Sequence, residues 1–175
     1  MKTILLLATA VLCFGATESR ISRKALAGVE SAMNDKFRNT VTPDTYDLLG
    51  TARGTYLDGY GVLFTIEMEL VYVTPLSPFR PAYTSAEVAS LRERKLKKVP
   101  VMKETLRNLM AGASNSLDNL PGNERISMEA ILWHYSWEES RGVPQRLMMT
   151  AEKDKLLRAL ADHTDLATVI EEREQ

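Results

Sequence analysis

The amino-acid sequence predicts an α+β domain of two layers, an antiparallel four-stranded sheet with packed helices, in the order α-β-β-α-β-β-α. Three observations predict it. Apolar residues recur at three- and four-residue steps in separate stretches, which is typical of amphipathic helices. Two other stretches alternate with a period of two, as half-buried strands do. Short turn signals join neighbouring strands, and strands joined in this way pair antiparallel.

The size and composition of the chain fit one soluble domain. It has 175 residues, of which 45% are apolar and 26% are charged. The 22 Lys and Arg balance the 23 Asp and Glu, so the composition does not favour a nucleic-acid binder. One cysteine excludes a cysteine-rich zinc site, and two histidines disfavour a histidine-built one. We therefore expect no metal and no cofactor.

The beginning of the chain is typical of an export signal. Lys2 precedes an apolar run from Ile4 to Phe14, and small residues follow it. The run is shorter than the roughly 20 residues that span a bilayer. We predict a cleavable signal peptide over residues 1–17 and a single α+β domain over residues 18–175. A bacterial protein of this kind is periplasmic or secreted and keeps no stable membrane anchor after cleavage.

The first half of the domain is expected to contain a helix and a β-hairpin. Three- and four-residue apolar spacing predicts the helix from about Ser19 to Arg38. The Asp58-Gly59 turn predicts that Thr51–Leu57 and Tyr60–Val73 pair as antiparallel strands. The glycines around this turn fit positive φ angles better than a phosphate-binding loop, because a strand follows them rather than a helix.

A long helix is expected to follow the hairpin. Thr84 and Glu87 form a capping-box pattern that opens it, and its apolar stripe continues to about Ala111. Pro100 lies inside that stripe, so we predict one kinked helix rather than two separate helices.

The last third of the chain is expected to add a second strand pair and the final helices. The strands are Ile126 to Trp137 and Val143 to Thr150. Thr150 can cap a helix that ends near Ala161, and a last helix runs from Thr164 or Asp165 to the charged end.

Four polar residues are candidates for catalysis. Glu67 and Glu69 lie two residues apart on one predicted strand, so they share a face and could divide acid and base roles. His134 could serve as a general base, and Asp58 lies in the glycine-rich turn. Charged residues on the wet face of a sheet and a hydrogen-bonded core histidine are the commoner explanations, and we favour them.

Aromatic residues are the candidates for binding. Trp133, Tyr135 and Trp137 alternate on the strand face opposite His134, and Tyr60 lies in the glycine-rich turn. They make the second face of the sheet partly apolar, where a one-sided sheet would be polar. We expect the N-terminal or C-terminal helix to cover this face. The functional alternative is a partner that binds there.

The longest basic run lies in the predicted long helix. It comprises Arg92, Arg94, Lys95, Lys97 and Lys98. On a helix these side chains scatter around the surface, so we interpret them as solvated, with contact to a polyanion as the alternative.

Four segments of the chain resemble exported bacterial proteins of unassigned function. They are the signal segment, the run GTYLDGYGVLFTIEMELV, the SPFRP connection and the LRERK stretch. The resemblance implies neither an activity nor a catalytic residue. We expect a non-enzymatic binding or assembly protein that contacts a protein partner, or a second copy of itself, through the sheet face or edge. The alternative is a small periplasmic hydrolase that uses the carboxylates or His134.

Overall fold

A computed structural model describes residues 21–40, 45–79 and 82–175 of the chain. In this part of the chain the α+β class is confirmed, with three α-helices and one six-stranded sheet. The predicted signal peptide, including Cys13, lies outside the described residues. The helices are α1 (Arg23–Arg38), α2 (Ser85–Ser116) and α3 (Lys153–Ala161). The strands are β1 (Asp47–Leu48), β2 (Arg53–Leu57), β3 (Gly61–Glu69), β4 (Arg125–Leu132), β5 (Arg146–Glu152) and β6 (Glu171–Glu174).

The sheet is mixed, so the predicted antiparallel four-stranded sheet is wrong. Its order is β1-β3-β4-β5-β6, with β2 also paired to β3. The two hairpin-like pairs, β2 with β3 and β4 with β5, are antiparallel as expected. However, β3 and β4 run parallel, from the pair Gly61 and Arg125 to the pair Met68 and Leu132. The reason is α2, because this crossover helix returns the chain to the end of the sheet where β3 began.

The crossover helix is continuous, as its apolar stripe predicts. It spans 32 residues and passes through Pro100 without ending. Thr84 accepts a hydrogen bond from the Glu87 backbone while the Glu87 side chain returns to the Thr84 backbone, which confirms the capping box. At the other end, the buried Lys153 Nζ donates to the carbonyls of Leu117 and Leu120, at 2.8 and 2.9 Å. A side chain of α3 thus caps the end of α2.

The two faces of the sheet have different surroundings. One face, which we call the helix face, is buried against the helices, and α2 packs between α1 and α3. It consists of Val62, Phe64, Ile66, Met68, Ile126, Met128, Ala130, Leu132, Leu147, Met149 and Ala151. The other, which we call the open face, includes half-buried and exposed side chains such as Leu63, Glu67, Ile131 and Met148. The expectation that a terminal helix covers this second face is wrong for the described residues, because α1 and α3 share the core of the helix face.

The glycines of the hairpin confirm the backbone interpretation. Gly59 and Gly61 have positive φ angles of 75° and 127°. A Cβ atom on Gly61 would lie 2.5 Å from the Arg125 backbone nitrogen, so the close approach of β4 also requires glycine there. Gly54 lies beside the ring of its cross-strand partner Phe64, where a Cβ atom would be 2.5 Å from the ring atom Cε1.

Side chains of α1 satisfy the outer edge of β2 and the residue before it. Glu30 accepts a hydrogen bond from the Gly54 nitrogen at 2.6 Å, and Arg23 donates to the Gly54 carbonyl at 3.3 Å. Asn34 accepts one from the Ala52 nitrogen at 2.9 Å. Arg23 and Glu30 also form an ion pair. These bonds occupy backbone groups with which another strand could otherwise pair.

The end of the chain forms a strand, so the predicted last helix is wrong. Asp165 caps only one short 3₁₀ turn, Leu166–Thr168, and β6 then pairs with β5. Glu172 forms ion pairs with Arg107 and Lys103 of α2, and Glu174 pairs with Lys103. The cations of α2 and the open edge of β5 therefore override the helix propensity of this charged segment.

Several boundaries also differ from the prediction. The strand predicted to end at Val73 ends at Glu69, the one predicted to begin at Val143 begins at Arg146, and α2 extends to Ser116 rather than to about Ala111. The strand predicted to end at Trp137 ends at Leu132, and α3 begins after Glu152 rather than after Thr150. Within the described ranges, no helix has both the length and the apolar character needed to cross a membrane.

Candidate functional site

Three aromatic side chains form a stack where β3 and β4 end. We call Tyr83, Tyr135 and Trp137 the aromatic cluster. The Trp137 ring lies 4.2 Å from Tyr83 and 5.5 Å from Tyr135 between centroids, with interplanar angles of 24° and 11°. Tyr83 precedes α2 and the other two follow β4, so the sheet and the crossover helix together assemble the cluster.

Tyr83 and Trp137 line three adjoining hollows, which we call the aromatic groove. The largest, about 550 Å³, lies between α2 and residues 72–74. The second, about 520 Å³, has charged walls that include Arg92, Glu93, Glu139 and Arg141. The third, about 240 Å³, is mainly apolar. Its walls are Val73, Thr74, Pro75, Leu76, Tyr83, Tyr135 and Trp137. Tyr83 donates a hydrogen bond to the Thr74 carbonyl, which holds the 72–76 segment against the cluster.

A buried ion pair holds the segment that carries Tyr135 and Trp137. Lys95 of α2 pairs with Glu138, and both side chains are only 2% exposed. The Lys95 Nζ also donates to the Trp133 carbonyl at 3.4 Å, while Glu138 accepts from the Tyr135 nitrogen at 3.2 Å. Both charges therefore have additional hydrogen-bond partners, which a buried ion pair needs to offset its desolvation.

A second buried carboxylate contacts the aromatic cluster directly. Glu69 is 2% exposed and accepts a hydrogen bond from the Tyr135 hydroxyl. Burial raises the pKa of Glu69, with the hydrogen bond from Tyr135 acting in the opposite direction. The same hydrogen bond and burial raise the pKa of Tyr135 to about 12. Tyr135 therefore stays protonated and serves as a donor at neutral pH.

The imidazole of His134 is only partly satisfied by hydrogen bonds. Its imidazole donates to the Leu132 carbonyl, and its Nε2 is buried without a hydrogen-bond partner among the described residues. Burial, and then the nearby Lys95 charge, lower the pKa of His134. Both effects favour the neutral form of the ring over the charged form. The prediction of a hydrogen-bonded histidine is confirmed for one ring nitrogen only.

The structure separates the candidates for catalysis. Glu67 and Glu69 lie two residues apart on β3, as predicted, but Glu67 is exposed whereas Glu69 is buried. Glu69 is also the residue opposite Asp47 of β1, so a further strand lies beside it. Asp58 lies in the hairpin turn at the other end of β3, beside the Tyr56 hydroxyl at 3.3 Å. None of the three hollows of the aromatic groove is lined by Asp58, Glu67, Glu69 or His134.

The candidates for binding are also divided. Tyr135 and Trp137 belong to the groove, but they do not lie on a strand as predicted, because the chain turns back toward α2 after Leu132. Trp133 is 53% exposed and lies outside the walls of the three hollows. Tyr60 lies at the far end of β3, where its hydroxyl is 3.0 Å from Ser127 Oγ.

The interpretation of the basic run as fully solvated is wrong at two positions. Lys95 is 1% and Lys98 is 6% exposed, because they share the inward side of α2 with Leu91 and Met102. Lys95 pairs with Glu138, and the Lys98 Nζ lies 3.6 Å from the centre of the Tyr46 ring. Buried lysines keep partners of this kind because an isolated ammonium would be costly to bury.

The sequence reasoning missed Tyr83, Lys95 and Glu138 as members of the site. One signal was available, since Lys95 falls four residues after Leu91 and seven before Met102, on the helical spacing of the buried stripe. Tyr83 and Glu138 carry no such pattern. Among the described residues, no group of three His, Cys, Asp or Glu side chains is arranged to hold a metal ion.

Comparison of this chain with protein-family models, with curated proteins and with solved structures found no match.

Proposed function

We propose that this is an exported, non-enzymatic assembly protein that binds a second copy of itself through the aromatic groove. The observation that carries the proposal is that Tyr83 and Trp137 line three adjoining hollows, one of them mainly apolar. Aromatic side chains dominate the energetics of protein interfaces, and apolar surface of this kind is a feature of binding sites.

Exposed apolar side chains are concentrated around the groove. Of eight large hydrophobic residues exposed in the described part of the chain, five lie in residues 72–79 and 133–135. They are Tyr72, Leu76, Phe79, Trp133 and Tyr135. Both segments flank or line the hollows, so the exposed apolar side chains surround the groove at the end of the sheet where β3 and β4 terminate.

Phe79 supplies the argument for a second copy. Its side chain is 99% exposed, and it lies three residues after Leu76, which lines the apolar hollow. A two-fold symmetric dimer can place Phe79 of each copy in the apolar hollow of the other, because such an interface uses the same patch twice. Each copy then provides both the inserted side chain, Phe79, and the apolar hollow that receives it.

The sheet edges support this choice over strand pairing. The outer groups of Gly54 at one edge already bond to α1 side chains. The other edge is β6, whose four residues are all charged. Charged and capped edges are how proteins prevent edge-to-edge association. The hydrolase alternative has less support, since the hollows of the groove do not contain the candidate catalytic side chains.

Self-association is tested by sedimentation of the purified domain over a range of concentrations. We expect a wild-type dimer, and monomers for Phe79→Ser and Trp137→Ser. Leu57→Ser is the matched control, because Leu57 is 46% exposed but lies on β2, at the other end of the sheet. A monomeric wild type, or dissociation caused by Leu57→Ser alone, would contradict the proposal.

Stability measurements separate loss of contact from loss of fold. Phe79→Ser should change the free energy of unfolding of the monomer by no more than about 0.5 kcal/mol, since the side chain is fully exposed. Trp137→Ser should cost more, because Trp137 is half-buried and stacks on two rings, each pair contributing about 0.5–1.5 kcal/mol.

Export is tested separately. N-terminal sequencing of the protein from the envelope or secreted fraction should begin between about Ala16 and Arg20. Intact Met1 on protein recovered from the cytoplasm would contradict export while leaving the assembly proposal standing.

A further inference from the structure

A smaller hollow lies on the open face, at the opposite end of β3 from the aromatic groove. Its volume is about 220 Å³ and its walls are Tyr60, Arg125, Met148, Thr150, Glu171 and Arg173. The eight steps from Gly61 to Glu69 separate the two ends by roughly 27 Å. This hollow is therefore independent of the proposed assembly surface.

A chain of hydroxyl groups forms part of the hollow and its floor. Ser127 Oγ lies 3.0 Å from the Tyr60 hydroxyl and 3.0 Å from Thr150 Oγ1. Three hydroxyls carry three hydrogens, but the two bonds use only two of them. Ser127 is fully buried, so its hydrogen is best used within the chain. The spare hydrogen then belongs to Tyr60 or Thr150, both of which line the hollow.

Two guanidinium groups flank these hydroxyls. Arg125 has no carboxylate partner among the described residues, and its guanidinium carbon lies 6.0 Å from the centre of the Tyr60 ring. Arg173 approaches Glu171 only to 3.9 Å, and both of those side chains are mainly exposed. The hollow thus carries two positive charges and one negative charge, and it offers more hydrogen-bond donors than acceptors.

We propose that this hollow binds an oxyanion, the carboxylate or phosphate group of a small solute. Arginine side chains match the geometry of both groups with paired N–H donors, and the spare hydroxyl hydrogen supplies a further donor. The backbone N–H of Arg125 donates to the Tyr60 carbonyl at 2.8 Å, which holds the backbones of these two residues of the site side by side.

The test is a titration of the ¹⁵N-labelled domain, followed by amide chemical shifts, with sodium phosphate and sodium acetate in separate arms. Sodium chloride at matched ionic strength is the reference. We expect saturable shifts at Tyr60, Arg125 and Thr150 in at least one arm, and the arm that saturates at lower concentration identifies the preferred group. Arg125→Ala and Arg173→Ala should each weaken binding about tenfold, because each removes hydrogen bonds to a charged group.

Two further variants make the test specific. Glu171→Gln should strengthen binding, because it removes the negative charge from the wall of the hollow. Arg38→Ala is the matched control, since it removes an exposed arginine at the end of α1, on the other side of the sheet, and should leave the affinity unchanged. Shifts that rise linearly as they do with chloride, that persist in both wall-arginine variants, or that weaken with Glu171→Gln would overturn the proposal.

Discussion

Gly61 and Glu69 mark the two ends of β3, and each shows how one side chain sets its surroundings. Gly61 lets the β4 backbone approach closely, where a Cβ atom would lie 2.8 Å from the Arg125 carbonyl carbon. Glu69 introduces a buried carboxylate behind the aromatic cluster, where it accepts a hydrogen bond from Tyr135. Gly61 is required by the close packing of two backbones, whereas the buried charge of Glu69 lowers the stability of the fold.

Gly61→Ala should destabilise the domain by about 3 kcal/mol or more, since the added carbon meets rigid backbone at a positive φ angle. Gly59→Ala should cost only about 1–2 kcal/mol, because its φ angle is also positive but open space surrounds it. Gly28→Ala, within α1 and with open space, should stabilise by about 0.5–1 kcal/mol. Urea unfolding measures all three, and equal losses for Gly61→Ala and Gly59→Ala would contradict the close approach of β4.

Glu69 should make stability depend on pH in a defined direction. Burial raises the pKa of Glu69 in the folded state above 4.5, the ordinary value for a glutamate side chain. The folded protein therefore binds the proton more tightly, and this contribution to stability is full below pH 4.5 and lost as pH rises through the folded pKa. Glu69→Gln keeps an acceptor for Tyr135 without the charge. Its stability relative to wild type should therefore rise between pH 4.5 and pH 7.5.

Urea unfolding of wild type and variant at both pH values measures this difference. Glu67→Gln provides the same chemical change on an exposed side chain and should stay within about 0.5 kcal/mol of wild type at neutral pH. A relative stability of Glu69→Gln that falls as pH rises would show that the ionised carboxylate stabilises the fold.

At the scale of elements, α2 organises the molecule. It connects β3 to β4 and makes them parallel, packs between α1 and α3, and binds β6 through Lys103 and Arg107. Lys153, which is 8% exposed and comes from the first turn of α3, donates to the carbonyl of the α2 C-cap residue Leu117 and to two carbonyls of the turn that follows. The connection between two helices at that end thus depends on one ammonium group.

Lys153→Met should lower the free energy of unfolding by about 3 kcal/mol, because it leaves several buried carbonyls without a donor while keeping the apolar stem. Lys155→Met is the control, since Lys155 forms only a half-exposed pair with Glu152 and should cost less than about 1 kcal/mol. If the two substitutions lower the free energy of unfolding equally in chemical denaturation, Lys153 does not act as a cap.

At the scale of the whole molecule, the buried pair of Lys95 and Glu138 joins α2 to the segment after β4. This segment carries Tyr135 and Trp137 and is further held by Arg92, whose Nε donates to the Arg141 carbonyl at 2.8 Å. The aromatic groove therefore exists only when the crossover helix and the strand end are both in place. Self-association through the groove would therefore require the complete fold.

Lys95→Met should cost about 3–5 kcal/mol, because it leaves the Glu138 carboxylate buried without its cation. The double variant Lys95→Met/Glu138→Leu should recover much of that loss, since no buried charge remains. Trp fluorescence during urea unfolding measures both, with the exposed Lys97→Met as control. Losses that simply add in the double variant would show that the two side chains act independently.

The sequence by itself determined the local elements. Period-two alternation, the Asp58-Gly59 turn and the Thr84–Glu87 capping box identify the hairpin and the start of α2, because the forces that form them act between near neighbours. The continuity of α2 through Pro100 followed from its apolar spacing in the same way. Tyr135 and Trp137 were found as candidates from composition and alternation alone, although the strand on which they were placed ends earlier.

Only the tertiary structure decided how these elements combine. The parallel pairing of β3 with β4 depends on where a 32-residue helix returns the chain. The strand β6 forms because Lys103 and Arg107 lie opposite a charged segment that is distant in sequence. The partner of the buried Lys95 is Glu138, 43 residues away, and the helical spacing of Lys95 could not identify it. Contacts over such separations leave no periodic trace in the sequence, since they are set by packing and by the pairing of buried charges.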